Sequence, residues 1–335
     1  MNIECFTLLF ILIAFLHGQD FDSVKIEAEQ GDADAQHHLG KMYYYGEGTI
    51  IDKKQAFHWY KKSAEQGDAL AQAMLGFMFN NGEGTSIDNK RAFHWYKKSA
   101  EQGGADAQAR LGFMCYNGEG TPIDKKQALY WYKKSAEQGD ALAQARLGIM
   151  FNNGEGTSID KKQALYWYKK SAEQGNAVAQ FSLGLMHYNG EGTSIDKKRA
   201  FYWYKKSAEQ GYVDAQLWLG LMYYYGEGTS IDKKQAFHWY KKSAEQGYDD
   251  AQARLGFMYY DGEGTSIDKK QALYWYKKSA EQGNAVAQFS LGLMYYNGEG
   301  TLTDKKEAKK WIRKSYDNGY EKAKVFWEEN ELWKY

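Results

Sequence analysis

Residues 135–170 read SAEQGDALAQARLGIMFNNGEGTSIDKKQALYWYKK, and the same phrase begins every 36 residues at Ser63, Ser99, Ser135, Ser171, Ser207, Ser243, Ser279 and Ser315, with Glu27 in the equivalent place upstream. No insertion breaks the period, so eight full units run 27–62, 63–98, 99–134, 135–170, 171–206, 207–242, 243–278 and 279–314. A period of this length marks a stacked architecture, in which a short unit recurs because it cannot bury its apolar face alone.

Two helices fit one unit. Asp140 is an N-cap residue, Ala143, Leu147 and Met150 recur at i, i+4 and i+7, and Asn153-Gly154 is a turn signal, which predicts helix A from Ala141 to about Phe151. Asp160 caps a second helix, B, running from Lys161 to Gln174 and stopping at Gly175, the residue best able to adopt the left-handed terminus. Ala164, Tyr168 and Ser171 share the apolar face of B, with Trp167 beside them. Gly148 weakens helix A by about 1 kcal/mol, a loss explained by a neighbouring helix coming close. Trp167 is the expected visitor. Trp59, Trp95, Trp131, Trp203, Trp239, Trp275 and Trp311 hold the same place in the other units, and all are expected in the core.

The pattern Ala-x-Ala-Gln-x-x-Leu-Gly-x-Met-Tyr, then Gly-Glu-Gly, then Asp-x-x-x-Ala-x-x-Trp-Tyr-Lys-Lys-Ser-Ala-Glu-Gln-Gly resembles the Sel-one-like repeat (SLR), a relative of the tetratricopeptide repeat. Leu147, Gly148 and Phe151 on A, with Ala164, Tyr168 and Ser171 on B, stand where tetratricopeptide repeats place their large, small and aromatic side chains. The resemblance implies an all-α fold, an α-α superhelix or solenoid of helix-turn-helix repeats, and an adaptor that assembles proteins.

The two ends differ from the interior. Residues 19–30 match the second half of a unit, with Phe21, Val24 and Ala28 at helical spacing, and are expected to form a partial helix B capping the first pair. Residues 315–335 are expected to form a C-terminal cap, because Tyr320 to Trp333 follows the A register while Trp327-Glu328 replaces Leu-Gly and Glu329, Glu331 and Lys334 add charge. Lys309 and Lys310 stand where other units carry apolar or aromatic residues.

Residues 1–19 read MNIECFTLLFILIAFLHGQ. The run from Cys5 to Leu16 is apolar except for Thr7 and is about half the ~20 residues a membrane span needs. It suits the core of a signal peptide spanning 1–18, cleaved before Gln19, although Glu4 stands where a basic residue is usual. The other reading is a short leader helix docked on the first repeat. The signal peptide implies secretion, or a secretory or periplasmic compartment, and no membrane span after its removal.

The 43 basic and 43 acidic side chains leave no net charge to attract nucleic acid or an anionic membrane. Cys5 and Cys115 supply neither a disulfide framework nor a zinc pair. Ser158-Ile-Asp-Lys161 fits S-x-x-K, as do the runs from Ser194, Ser230 and Ser266, but Asp160 caps the helix after the serine, and S-D-N and K-T-G are missing. The resemblance implies penicillin binding for some secreted, cysteine-rich SLR proteins, and this chain lacks their paired cysteines. Gly154-Glu155-Gly156 has no strand before it and no lysine after it, so it reads as a turn; Asn153, Glu155 and Asp160 do not have calcium-loop spacing. Lys161, Lys162, Lys169 and Lys170 form a solvated convex ridge interleaved with Glu155 and Glu173. No catalytic residue, cofactor or metal is expected, a weak serine hydrolase or penicillin binder being the alternative.

Differences between the units locate a surface. They gather on helix A at Leu142, Ala145, Arg146 and Ile149, followed by Asn152, a stripe that lines the concave groove of tetratricopeptide-like solenoids. The place of Ile149 holds Lys41, Phe77, Phe113, Leu185, Leu221, Phe257 and Leu293, an apolar ladder in all but the first unit. Beside it run Tyr116, Tyr188, Tyr224 and Tyr260, and the place of Leu142 contributes Asp106 and Asp214. Apolar rungs, phenols and spaced acids suit an extended peptide or an inserted helix. The alternative is that the ladder is only core between units. The expectation is a monomeric scaffold for a protein or peptide partner, not for nucleic acid.

Overall fold

The computed structural model describes residues 21–330 and Leu332. The leader 1–18, Gln19, Asp20, Glu331, Trp333 and Lys334 lie outside the described residues. The chain divides into two compact units, one ending at Asp160 and one beginning at Lys161. The first holds α1 (Phe21–Glu29), α2 (Ala33–Tyr45), α3 (Lys53–Glu65), α4 (Ala69–Asn81), α5 (Asn89–Glu101), α6 (Ala105–Asn117), α7 (Lys125–Glu137) and α8 (Ala141–Asn153). The second holds α9 (Lys161–Glu173), α10 (Ala177–Asn189), α11 (Lys197–Glu209), α12 (Val213–Tyr225), α13 (Lys233–Glu245), α14 (Asp249–Asp261), α15 (Lys269–Glu281), α16 (Ala285–Asn297), α17 (Lys305–Asp317) and α18 (Glu321–Glu329). There is no strand among the described residues; each unit is a stack of A and B helices in alternation.

Local chemistry sets the helix ends. Asp140 starts α8 by accepting the Ala143 N–H at 2.6 Å, and Asp124 starts α7 by accepting the N–H groups of Lys126 and Gln127. Every complete A helix ends on a glycine with left-handed backbone, Gly154 at φ 72° for α8. Helix A therefore extends to Asn153, two residues beyond the expected end, and B stops at Glu173, one residue short of it.

Within a pair, the close approach belongs to tyrosine and not to tryptophan. A Cβ placed on Gly112 would lie 2.9 Å from the Tyr132 ring, and one on Gly184 would lie 2.7 Å from Tyr204. The tryptophans pack instead between successive B helices: Trp59 of α3 joins Val24 and Ala28 of α1, and Trp239 of α13 joins Ala200, Tyr204 and Ala208 of α11. Trp59, Trp167, Trp239, Trp275 and Trp311 are buried, whereas Trp95, Trp131 and Trp203 are only half-buried. At the ends, Val24 and Ala28 of α1 are buried, and Trp327 of α18 packs with Ile312.

A buried glutamine joins three helices in each repeat. Gln108 Nε2 donates to the Ala100 carbonyl of the preceding B helix at 3.0 Å, and its Oε1 accepts from Gln138 Nε2 at 2.8 Å. The same pair of bonds recurs at Gln72 and, in the second unit, at Gln252. These bonds satisfy polar groups that the stack removes from water.

Candidate partner-binding site

The apolar ladder lies on the A helices one turn of side chains away from the core. Leu111 and Leu255 are fully buried, whereas Phe113 is half-buried and Phe257 is 38% exposed. Phe77, Ile149, Leu185 and Leu221 are also half-buried. In the first unit Phe77, Phe113 and Asp106 come together with Met74, Arg110 and Arg146 around a cavity of about 490 Å³. In the second, Tyr224 and Phe257 line one of about 330 Å³ with Arg254, and Tyr188 and Leu221 line another of about 390 Å³ with Trp218. Leu185 packs beside Phe181 on the core of α11 and α12.

The tyrosines have partners within the fold. Tyr188 donates to Glu227 and Tyr260 to Glu299, each at 2.6 Å, and Tyr116 donates to Glu155. Each acceptor is the glutamate of the Gly-Glu-Gly turn one repeat on. The first lysine of the intervening B helix closes the group: Lys125 lies 3.3 Å from Glu155, and Lys233 and Lys269 sit 2.9 Å above the Tyr224 and Tyr260 rings. The bond to Glu155 raises the Tyr116 pKa and lowers that of Glu155. Burial, then Glu299, pushes the Tyr260 phenol up to about 12. Burial raises Tyr224 further, with Glu263 adding to it.

The acids differ in setting. Asp106 is exposed in the first turn of α6. Asp214 is half-exposed near Tyr248, whose phenol is pushed up to about 12 by burial and by the Asp214 carboxylate.

Sequence reasoning missed the glutamate, the lysine and the buried glutamine, because it followed places that differ between units and these hardly differ. One signal was present. Asn80 replaces the tyrosine in the unit where Asn89 replaces the lysine, and the two amides bond at 3.0 Å. Lys161 is therefore no simple member of a solvated ridge: its ammonium lies 2.7 Å from Glu191.

The serines of S-x-x-K at 194 and 230 are exposed, and Lys197 and Lys233 are paired with Glu227 and Glu263. Among the described residues no three His, Cys, Asp or Glu side chains gather as a metal site requires. Cys115 is buried, and burial pushes its thiol up to about 11. No described helix is long and apolar enough to cross a membrane.

Paired helices with a glycine-tyrosine contact, repeated every 36 residues, define a helical-hairpin repeat protein. The Sel1 repeat pattern matches 33–68, 69–104, 105–140, 141–176, 177–212, 213–248, 249–284 and 285–320, and the chain belongs to the Sel1 repeat family. Those bounds open each repeat at helix A, six residues after the register counted from Glu27. The chain is similar to c5321, described as a protective antigen present in uropathogenic Escherichia coli strains displaying an SLR fold, at 38% identity and a TM-score of 0.86 over 91% of this chain. It spans 66% of that protein, just under two thirds. It is also similar to a Sel1 repeat protein from Oxalobacter formigenes, at 32% identity and a TM-score of 0.69, over 95% of this chain and 92% of that one. No curated protein sequence matches the chain.

Proposed function

We propose that the chain is an exported, monomeric, non-enzymatic scaffold that holds a peptide or helix of a partner protein against its A-helix face. Sel1 repeat proteins typically bind proteins. The observation that carries the reading is the ladder's exposure. Phe257 keeps 38% of its surface open two residues from a Leu255 that keeps none. Large apolar side chains left beside cavities in both units are the anchors of a partner surface.

The test changes Phe113 and Leu221 to serine in the full chain and measures helicity and affinity for a captured protein partner. Retained helicity with about thirtyfold weaker binding is expected, corresponding to ~2 kcal/mol for a central anchor. Lost helicity would mean that the ladder is core. Binding lost only on changing Lys161 and Lys162 to glutamate would place the partner elsewhere. Penicillin or fluorophosphonate probes should leave the serines unlabelled, and covalent labelling at Ser194 or Ser230 would overturn the non-enzymatic reading. Export with removal of residues 1–18 predicts a secreted product whose intact mass begins at Gln19.

A further inference from the structure

The first compact unit carries two arginines that no carboxylate pairs with among the described residues. Arg110 of α6 and Arg146 of α8 occupy the same place in consecutive A helices, are exposed, and line the same cavity of about 490 Å³. The cavity lining holds no lysine, so its positive charge is that of the two arginines. Among the described residues neither arginine has a carboxylate within 4.0 Å. The other repeats place His38, Met74, Ser182, Trp218, Arg254 or Ser290 there, so arginines at this place in two consecutive repeats occur only at 110 and 146.

Two carboxylates share the cavity, and both have work at helix N-termini. Asp140 caps α8 through the Ala143 N–H at 2.6 Å, and Asp106 lies in the first turn of α6, where the helix dipole favours negative charge. Arg110 and Arg146 stand further along their helices and share the cavity lining with the buried Tyr96 and Tyr132 and the apolar Met74, Phe77 and Phe113. A guanidinium is a planar fork that matches a carboxylate in two parallel hydrogen bonds.

We propose that this cavity docks an acidic peptide segment, with two carboxylates meeting Arg110 and Arg146 and an apolar side chain between them resting on Phe77 and Phe113. The inference rests on the A-helix face being the partner surface and adds the partner's chemistry. The two arginines stand on consecutive A helices with Phe77 and Phe113 in the same cavity, so the segment carries at least two acids and an apolar residue.

The test pans a random dodecapeptide display library against the full chain and against the full-chain double variant Arg110→Gln/Arg146→Gln, with circular dichroism confirming equal helicity. Selected peptides should be enriched in paired acids with an apolar residue, bind the double variant at least tenfold more weakly, and weaken as salt is raised. Reselection on the double variant should lose the acids. Peptides that need Phe113 but are indifferent to their acids and to both arginines overturn this proposal and leave the binding face standing. Peptides indifferent to Phe113 as well, or no selected peptide at all, overturn both.

Discussion

Tyr188 donates its hydroxyl hydrogen to Glu227 across 2.6 Å, tying the last turn of α10 to the turn that follows α12. Lys197, at the start of α11 between them, pairs with the same carboxylate and lies 4.8 Å from the Tyr188 ring. The phenol is thereby a strut between repeats.

Changing Tyr188 to Phe removes the strut's hydrogen bond and keeps its ring. A loss of about 1 kcal/mol is expected in denaturant unfolding, since the carboxylate keeps Lys197 and some water. Partner binding should hold. The pH dependence has a definite sign: Lys197 and then Tyr188 hold the Glu227 carboxyl below the usual glutamate range. Its contribution is complete above the ordinary value of ~4.3 and is lost as pH falls through the lower folded value. Glu155 and Glu191 are also lowered, by Tyr116 and Lys161 respectively, so the melting temperature should drop on acidification below about pH 4.3. The Tyr188→Phe chain should lose less than the parent over that range, and parallel curves would show that the strut is not linked to the proton.

Replacing Gln108 by Leu keeps the volume and deletes both inter-helix bonds. The Ala100 carbonyl and the Gln138 amide then each lose one bond to Gln108, which is 4% exposed, and keep their bonds to the Gly103 backbone. A cost of about 2 kcal/mol is expected. Stability equal to the parent in guanidinium titrations would show that water replaces the amide.

Alanine at position 112 tests the glycine-tyrosine contact. Helix propensity alone favours it by about 1 kcal/mol. The new methyl lies 2.9 Å from Tyr132, a ring only 3% exposed, and overpacking of this kind costs ~1 to 3 kcal/mol. The outcome expected from calorimetry is a lower melting temperature, and a rise would mean that the ring yields.

The repeat made the helices, caps and stack legible, since Asp, Gly and an apolar face at fixed offsets leave few alternatives. Partners for invariant polar side chains were not legible. Glu155 reads as one more turn residue until folding brings it to Tyr116, which is 39 positions away. Trp167 and Tyr168 are neighbours on B, and spacing could not decide which ring meets glycine because a buried helix face about 100° wide holds both. The ladder's apolar character was legible and its exposure was not, because apolar identity survives exchange among Phe, Ile and Leu, whereas exposure depends on how far each pair is rotated.

The period itself can be tested by deletion. Removing 213–248 takes out one family-defined repeat inside the second unit and joins Tyr212 to Asp249, leaving a tyrosine before the A helix as at Tyr248 in the parent. The bonds should re-form with new partners: Tyr188 meets Glu263 in place of Glu227, and the Ala208 carbonyl meets Gln252 in place of Gln216. Stability in such stacks is close to a sum of repeat and neighbour terms, so the shortened chain should keep its helicity per residue and remain soluble. Removing only 213–230 deletes α12 and its turn, setting B helix against B helix and leaving Tyr240 without Gly220, the glycine its ring packs on. That chain should lose helicity and aggregate. Equal behaviour of the two deletions, measured by circular dichroism and size-exclusion chromatography, would mean that the 36-residue frame is not the unit of folding.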